Sequence, residues 1–477
     1  MHADPVTLAR LAEVGPGEIV GDPATVISDV THDSRTAGPG DLFVAIRGAH
    51  RDGHEFVADT RAAAACVETA VQAQIPQLVV PDTRAALGVL AAEVHHHPSR
   101  ELQVVGITGT NGKTTVAHML AAIVDAVGGI PGVVGTVGAR IGDVHLDLER
   151  TSPEASDLQR LLRRMVDAGV GVAAVEVSSH AQVFGRTAAT GFAVVAFTNL
   201  SQDHLDMHGD MEAYFQAKAS LFVESTAAAV VNIDDPWGRR LAAMLDRRVT
   251  TVGEGGDFSA RDVVPGLTSS TFELVTPAGV TDVVLPLGGG FNVENAVVAA
   301  ACALLLGYDP SAIGGGLSMV DPIPGRMEPV DAGQEPAIIV DYAHTPEGIE
   351  QVLASVRPLI GGRVIVVMGA GGDRDAAKRP DMGRAAARAD MLFVTSDNPR
   401  SEDPDAIINA VSAGADGPAT VVVEPDRRKA IAQAIAVAGA GDAVLLLGKG
   451  HETGQEIAGR VVPFDDRQVA REVVMAR

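Results

Sequence analysis

Gly109-Thr110-Asn111-Gly112-Lys113-Thr114-Thr115 joins an apolar β-type run, Val104 to Thr108, to an amphipathic helical stretch that closes at Gly128 and Gly129. Strand, glycine-rich loop and helix in that order put a nest of backbone N–H groups at a helix N-terminus, the arrangement that cradles phosphates. Lys113 is placed to reach the β- and γ-phosphates of a nucleotide, and Thr114 to hold Mg2+. The spacing departs from the strict phosphate-loop pattern: its first glycine falls on Ile107, with Gly106 and Gly109 on either side. The position between strand and helix carries the assignment, because Gly-Lys-Thr in a loop is otherwise common.

A phosphate loop needs carboxylates near its metal. The apolar run Val170 to Glu176 ends in an acid, and a buried acid requires a partner. A second apolar run, Phe192 to Leu200, leads into a loop with Asp203, His204, Asp206 and His208, followed by a helical stretch carrying Lys218. Each residue alone reads as a solvated loop side chain; together, behind a second strand, they suggest a metal or substrate cluster. Further on, an apolar run gives way to Asp397-Asn398-Pro399-Arg400. This rigid polar turn is either a solvated loop or a carboxylate reader.

The elements that must position these residues alternate along the chain: short β-type runs and Ala/Leu-rich helical stretches argue an α/β architecture with largely parallel sheets. At 477 residues about three domains are expected. His95 to Gln103 reads as a linker, its histidine triplet as a helix end running into Pro98 rather than a metal site. A second break falls at Val320 to Val330. The expected domains are 1–98, 99–326 and 327–477, with a P-loop domain in the middle and a Rossmann-like domain last.

The formal charge of -24 and an aromatic content of 3% argue against nucleic-acid binding, so any phosphate must be held locally. Cys66 and Cys302 read as buried thiols in a reducing compartment. The N-terminal stretch has neither a basic segment nor a long apolar run, and no membrane insertion is expected. A cytoplasmic protein follows.

"TGTNGKTT", "EVSSH", "FTNLSQDHLDMHG" and "AYFQAKASLF" resemble the ATP-dependent Mur ligases of peptidoglycan synthesis. So do "THDSRTAGPGDLFVAIRG" before them and "LGGGFNVENAVVAA", "GRMEPV", "IVDYAHTPEG", "GGDRDAAKRPDMG", "DNPRSEDP" and "GKGHETGQE" after them, in family order over nearly the whole chain. The resemblance implies a UDP-sugar-binding first domain and amide-bond formation. A peptide carboxylate is phosphorylated by ATP, and an amine then attacks the acyl phosphate. Gly109, Thr110, Asn111, Gly112, Lys113 and Thr114 would bind ATP, together with Asn295, Arg326 and Asp341; His344 shares the last motif. Thr114, Glu176 and His204 would surround Mg2+, joined by Lys218 as a carbamate, and Lys113, Glu176, His204 and Lys218 would form the catalytic set.

For UDP-N-acetylmuramoyl-L-alanyl-D-glutamate, the matching positions are Ser34, Ala49, His50, Arg51, Thr151, Ser152, Ser178 and Arg186. Thr151 and Ser152 also precede a helical stretch, where N-capping is the simpler role. Phe184 departs from the pattern, standing where some relatives have a substrate-contacting glutamine. Asp397, Asn398, Pro399 and Arg400 resemble the version found in ligases that add meso-2,6-diaminopimelate. An arginine can fork onto this substrate's distal carboxylate, which lysine lacks. Arg374, Gly448 and Glu452 match the remaining amino-acid contacts. A monomer is expected. The alternatives are a lysine-adding ligase, a folylpolyglutamate-synthetase-type ligase, a non-catalytic nucleotide-binding regulator, and a P-loop kinase or GTPase. The last lacks a guanine-reading Asn-Lys-x-Asp.

Overall fold

The computed structural model describes residues 5–48 and 51–476. They group into two compact units, each α/β. The first takes 5–108 (without 49–50), 128–196 and 217–229; the second takes 109–127, 197–216 and 230–476.

The first unit holds a five-stranded sheet in the order Glu18–Val20, Gln77–Val79, Ala64–Val67, Asp41–Val44, Asp29–Thr31. Only its first pairing is antiparallel. Period-two alternation sends Leu42 and Val44 into one core with Leu8, Leu11, Leu87 and Leu90, and Phe43 and Ala45 into another with Val57 and Val67. Both faces are therefore covered, as a parallel sheet requires. The helix Thr83–Val94 starts at Asp82, whose carboxylate accepts from Ala85 N at 3.0 Å. It ends at the histidine triplet, as expected from Pro98. His95 Nε2 lies 3.1 Å from Asp29 and His97 Nε2 lies 2.9 Å from Glu93, so these rings take separate partners. Burial pushes the Asp29 carboxyl up, but hydrogen bonds from His95 and Arg160 outweigh it and hold it at about 2.

The same unit contains the strands Val144–Leu146, Gly138–Ile141, Pro131–Gly135, Val172–Glu176 and Gln103–Thr108, neighbours in that order. Val172–Glu176 is buried along its whole length and runs parallel to both neighbours. Its register sets Glu176 beside Ile107 at the carboxyl end, with Thr108 Oγ1 donating to Val177 O at 2.7 Å. Cys66 lies in this unit and Cys302 in the second; both are free and buried, and burial pushes each thiol up to about 12.

The second unit is built on a six-stranded sheet, in the order Glu328–Pro329, Ala337–Asp341, Ala443–Leu447, Val364–Met368, Met391–Val394, Thr420–Val423. All pairings after the first are parallel. Ile339, Val366 and Leu445 face one core; Val340, Val367 and Leu446 face the other. A three-stranded antiparallel sheet, Ser259–Pro265, Ser270–Thr276 and Gly279–Leu285, lies in the same unit. No described helix is long and apolar enough to cross a membrane.

One ion pair sits inside this second unit. Arg427, with no exposed side-chain surface, donates Nε and Nη2 to Asp466 at 2.8 and 2.5 Å, and Nη2 also to Leu447 O at 3.0 Å. Removing one partner of such a pair strands a buried charge, which costs about 3–5 kcal/mol. Asp466→Ala is therefore expected to lower the urea midpoint of the last structural transition strongly. An unchanged midpoint would show that the pair contributes nothing.

Candidate active site

The helix Lys113–Ala126 begins at Gly112, whose φ of +87° lies in the left-handed region. A side chain at Gly112 would also run into the Asn295 amide, so glycine is demanded twice over. Neighbouring segments pin the loop. Thr110 N and Asn111 N donate to the backbone and side-chain oxygens of Asn199, both at 2.9 Å, and Thr198 Oγ1 donates to Asn111 O at 2.6 Å. Lys113 Nζ curls back to Gly109 O at 3.0 Å and Thr110 O at 2.8 Å, so its ammonium is held over the loop mouth. Gly106 lies inside the strand and Gly109 in the loop at φ +147°, which accounts for the shifted spacing.

Arg326 donates Nη2 to Thr114 Oγ1 at 3.1 Å while its guanidinium lies 4.6 Å from the Tyr342 ring centroid. Asp341 accepts from Met327 N at 2.7 Å and Ala343 N at 2.8 Å. Burial pushes its carboxyl up, against the pull of Arg326. Asn295 donates to Asn292 Oδ1 at 3.2 Å. Thr114, Asn295, Arg326 and Asp341 are thus brought to the phosphate loop or to the arginine that touches it.

The expected cluster after the second strand forms only in part. Asp203 is buried and accepts from Lys378 Nζ at 2.8 Å, with His204 Nε2 at 3.4 Å and His344 Nε2 at 3.6 Å. Burial pushes this carboxyl up; the His344 contact and the Lys378 charge overcome that and hold it well below the usual range. Asp206 is exposed, and His208 stacks on Tyr214 at 5.1 Å. No group of three His, Cys, Asp or Glu among the described residues converges as metal ligands. The lysine ammonium pairs with the acid there. Neither Lys378 nor this role of Asp203 was visible in the sequence, because the two lie 175 positions apart.

In the first unit Glu176, 1% exposed, accepts from Thr136 N at 2.9 Å and Thr136 Oγ1 at 3.0 Å. Thr151 Oγ1 lies 3.0 Å from the same threonine hydroxyl. Ser152 Oγ donates to Glu176 O at 2.8 Å and accepts from Ser178 N at 3.1 Å. Capping by Thr151 or Ser152 is overturned. The helix starts at Ala155 with Glu154 as its cap residue, and both hydroxyls are spent on the Glu176 network instead. Ser178 does cap a helix, accepting from Ala181 N at 3.1 Å.

Arg186 donates to Glu154 at 3.0 Å and Ser152 O at 3.3 Å. Phe184 lies between two guanidiniums, Arg84 at 5.3 Å and Arg186 at 5.4 Å. The departure from the family pattern therefore leaves an aromatic platform beside Arg186. Lys218 lies in the helix Met211–Val223 and is 1% exposed. Ser34 and Arg51 follow strands of the five-stranded sheet. Ala49 and His50 lie outside the described residues.

The remaining residues sit where parallel strands of the second unit end, the edge at which open α/β sheets bind ligands. Lys449, fully buried, donates to Glu452 at 2.9 Å, Asn398 Oδ1 at 3.3 Å and Gly454 O at 2.6 Å. Asn398 Nδ2 donates to Glu452 at 2.7 Å. Asp397 faces Gly448, where an added Cβ would stand 2.6 Å from its carboxylate, and Arg427 Nη1 is 4.0 Å away. Pro399 leads into Arg400, whose φ of +53° is costly for a branched-off side chain and is held by ladder-like bonds to the hairpin Gly454–Ile457 and Arg460–Pro463. Arg374 and Arg400 both lie against Gly371. Lys449 and the hairpin escaped sequence reasoning, although Lys449 stands inside a quoted motif.

Residues 26–95 match the Mur ligase family catalytic domain, 107–303 the Mur ligase middle domain, and 325–450 the Mur ligase glutamate ligase domain. The chain is 44% identical over 496 residues to a UDP-N-acetylmuramoyl-L-alanyl-D-glutamate--2,6-diaminopimelate ligase of Streptomyces coelicolor, covering 98% of this chain and 97% of the relative. A solved structure of an enzyme with that name is 32% identical with a TM-score of 0.69, covering 99% of both chains. A MurF from Acinetobacter baumannii, 24% identical, shares the fold alone, with a TM-score of 0.73. Family matches in order along the chain and full-length relatives above 40% identity make one conclusion plain: the chain belongs to the Mur ligase family of ATP-dependent, amide-bond-forming enzymes.

Proposed function

We propose that the chain joins meso-2,6-diaminopimelate to UDP-N-acetylmuramoyl-L-alanyl-D-glutamate at the expense of ATP, as a monomer in the cytoplasm, with domains at 1–98, 99–326 and 327–477. The observation that carries the choice of amino acid is the set on one sheet edge. Arg400 supplies a cation for a distal carboxylate, Asp397 and Asn398 accept from or orient the amine beside it, and Glu452, tied to Asn398 at 2.7 Å, joins Arg374 and Gly448 in the remaining contacts. Lysine, ending in a bare ammonium, would bring no carboxylate to the arginine.

The chemistry asks two anions to meet. A carboxylate oxygen of the D-glutamyl residue attacks the γ-phosphorus, ADP departs, and an acyl phosphate forms. The amine of diaminopimelate attacks its carbonyl carbon, and the tetrahedral intermediate collapses with loss of phosphate and a proton. Lys113, held over the loop mouth, offsets the γ-phosphate charge. Gly109, Thr110, Asn111 and Gly112 present the phosphate nest, and Asn295, Arg326 and Asp341 bind the rest of ATP. Ser34, Ala49, His50, Arg51, Thr151, Ser152, Ser178 and Arg186 hold the nucleotide-sugar peptide, so that positioning supplies much of the rate.

Mg2+ fits the donor chemistry: a buried hydroxyl at Thr114 and a buried carboxylate at Glu176 are oxygen ligands for a hard cation. When bound it would screen the phosphate charge, held by Thr114, Glu176, His204 and Lys218 as a carbamate. Burial at 1% exposure suits that modification, which exchanges an ammonium for an anion compatible with a cation.

Phosphate release from ATP with UDP-N-acetylmuramoyl-L-alanyl-D-glutamate is expected with meso-diaminopimelate and not with L-lysine or without amino acid. Turnover with lysine would keep the ligase and discard the role of Arg400. Arg400→Ala is expected to raise the diaminopimelate KM at least ~10-fold, since loss of a polar partner can reach ~10⁴-fold, while the ATP KM stays put. Lys218→Ala should lower kcat about 10²-fold or more. Growth with 13C-bicarbonate should give the parent protein a carbamate carbon resonance that the variant lacks, and a parent without that signal contradicts the modification.

A further inference from the structure

Arg400 reaches its surroundings unevenly. Nη1 donates to Gly372 O at 2.6 Å, which spends one corner of the guanidinium on the fold. Nη2 has no hydrogen-bond partner among the described residues. Nε faces Glu456 Oε2 at 3.3 Å, a contact with charge but without hydrogen-bond alignment. The Nε–Nη2 edge is open to a two-point carboxylate grip, and a carboxylate of the protein itself stands at half of it.

Glu456 belongs to the hairpin that fixes the arginine. Arg400 N donates to Glu456 O at 3.0 Å, Ala458 N donates to Arg400 O at 2.7 Å, and Glu456 N donates to Asn398 Oδ1 at 2.9 Å. The Glu456 backbone is thus committed to the loop, while its side chain, 42% exposed, rests on one charge contact and is free to swing into solvent. Asp373, also beside Arg400, is already occupied by Ser401 N at 3.1 Å and Ser401 Oγ at 2.7 Å. Of the two acids near the guanidinium, only Glu456 can leave without breaking other bonds.

We infer that Glu456 is a placeholder: its carboxylate occupies the Nε side of Arg400 until the distal carboxylate of the incoming amino acid displaces it. Glu456 is then a specificity-determining residue. It keeps the arginine compensated in the empty site and sets a threshold that only a ligand able to grip both Nε and Nη2 overcomes. A ligand with an amide at that end offers a neutral acceptor in place of an anion, and one with a bare ammonium offers none. The inference rests on Arg400 reading the distal carboxylate.

The test is a double-mutant cycle on the diaminopimelate KM with Glu456→Gln, Arg400→Ala and both together. Glu456→Gln should lower that KM about two- to five-fold, the range set by a partly exposed ion pair. The gain should vanish in the Arg400→Ala background, with the ATP KM as control. A raised or unchanged KM in Glu456→Gln, with Arg400→Ala raising it as expected, overturns the placeholder alone. An Arg400→Ala protein with the parent KM overturns the assignment of the distal carboxylate, and the placeholder with it. A gain that persists without Arg400 also overturns it, by tracing the effect to general loss of negative charge.

Discussion

Parallel strands all finish on the same edge of their sheet, and this molecule spends that edge on charge. Asp341, the loop after Met368, the turn after Val394 and the loop after Leu447 leave four strands of one sheet side by side. Without that arrangement, residues more than a hundred positions apart could not share a site. A chain of net charge -24 has no global field to gather anions, so each must be met by a few cations placed one at a time. Lys113, Arg326 and Arg400, the cations proposed for that task, are each steadied by carbonyls, a ring or a carboxylate of the protein.

The parts visible in the sequence were those whose physics is local. The loop from Gly109 to Thr114 announces itself because strand, glycine and helix signals are contiguous. The histidine triplet was readable as a helix end because Pro98 follows at once. What stayed hidden depends on tertiary approach. Ser152 looks like a cap from its neighbours, yet its hydroxyl is drawn 24 positions away to Glu176. Asp203 reads as one of several loop residues, and only the fold brings Lys378 to it from the other half of the chain. Buried lysines such as Lys378 and Lys449 have no local signature, since the sequence shows a charge and only the fold shows its burial.

The second unit also separates stiffness from freedom. Lys449 uses its three donors on three acceptors, so Asn398 and Glu452 have little room to rearrange. Arg427 and Asp466 fix the strand end behind them. Arg400, by contrast, has a pinned backbone and a guanidinium with an open edge. Preorganisation is concentrated at Asn398 and Glu452, while the half-exposed Glu456 side chain makes a single charge contact at the rim.

The contact between Lys378 and Asp203 has a thermodynamic corollary. Lys378 rises from the loop that carries Arg374, and Asp203 sits two residues past Ser201, whose backbone N–H is bonded to Thr110 of the phosphate loop at 3.0 Å. The regions proposed for nucleotide and for amino acid thus share one desolvated ion pair. Linkage requires that whatever factor nucleotide imposes on the affinity for the amino acid through this pair, the amino acid imposes on the affinity for nucleotide.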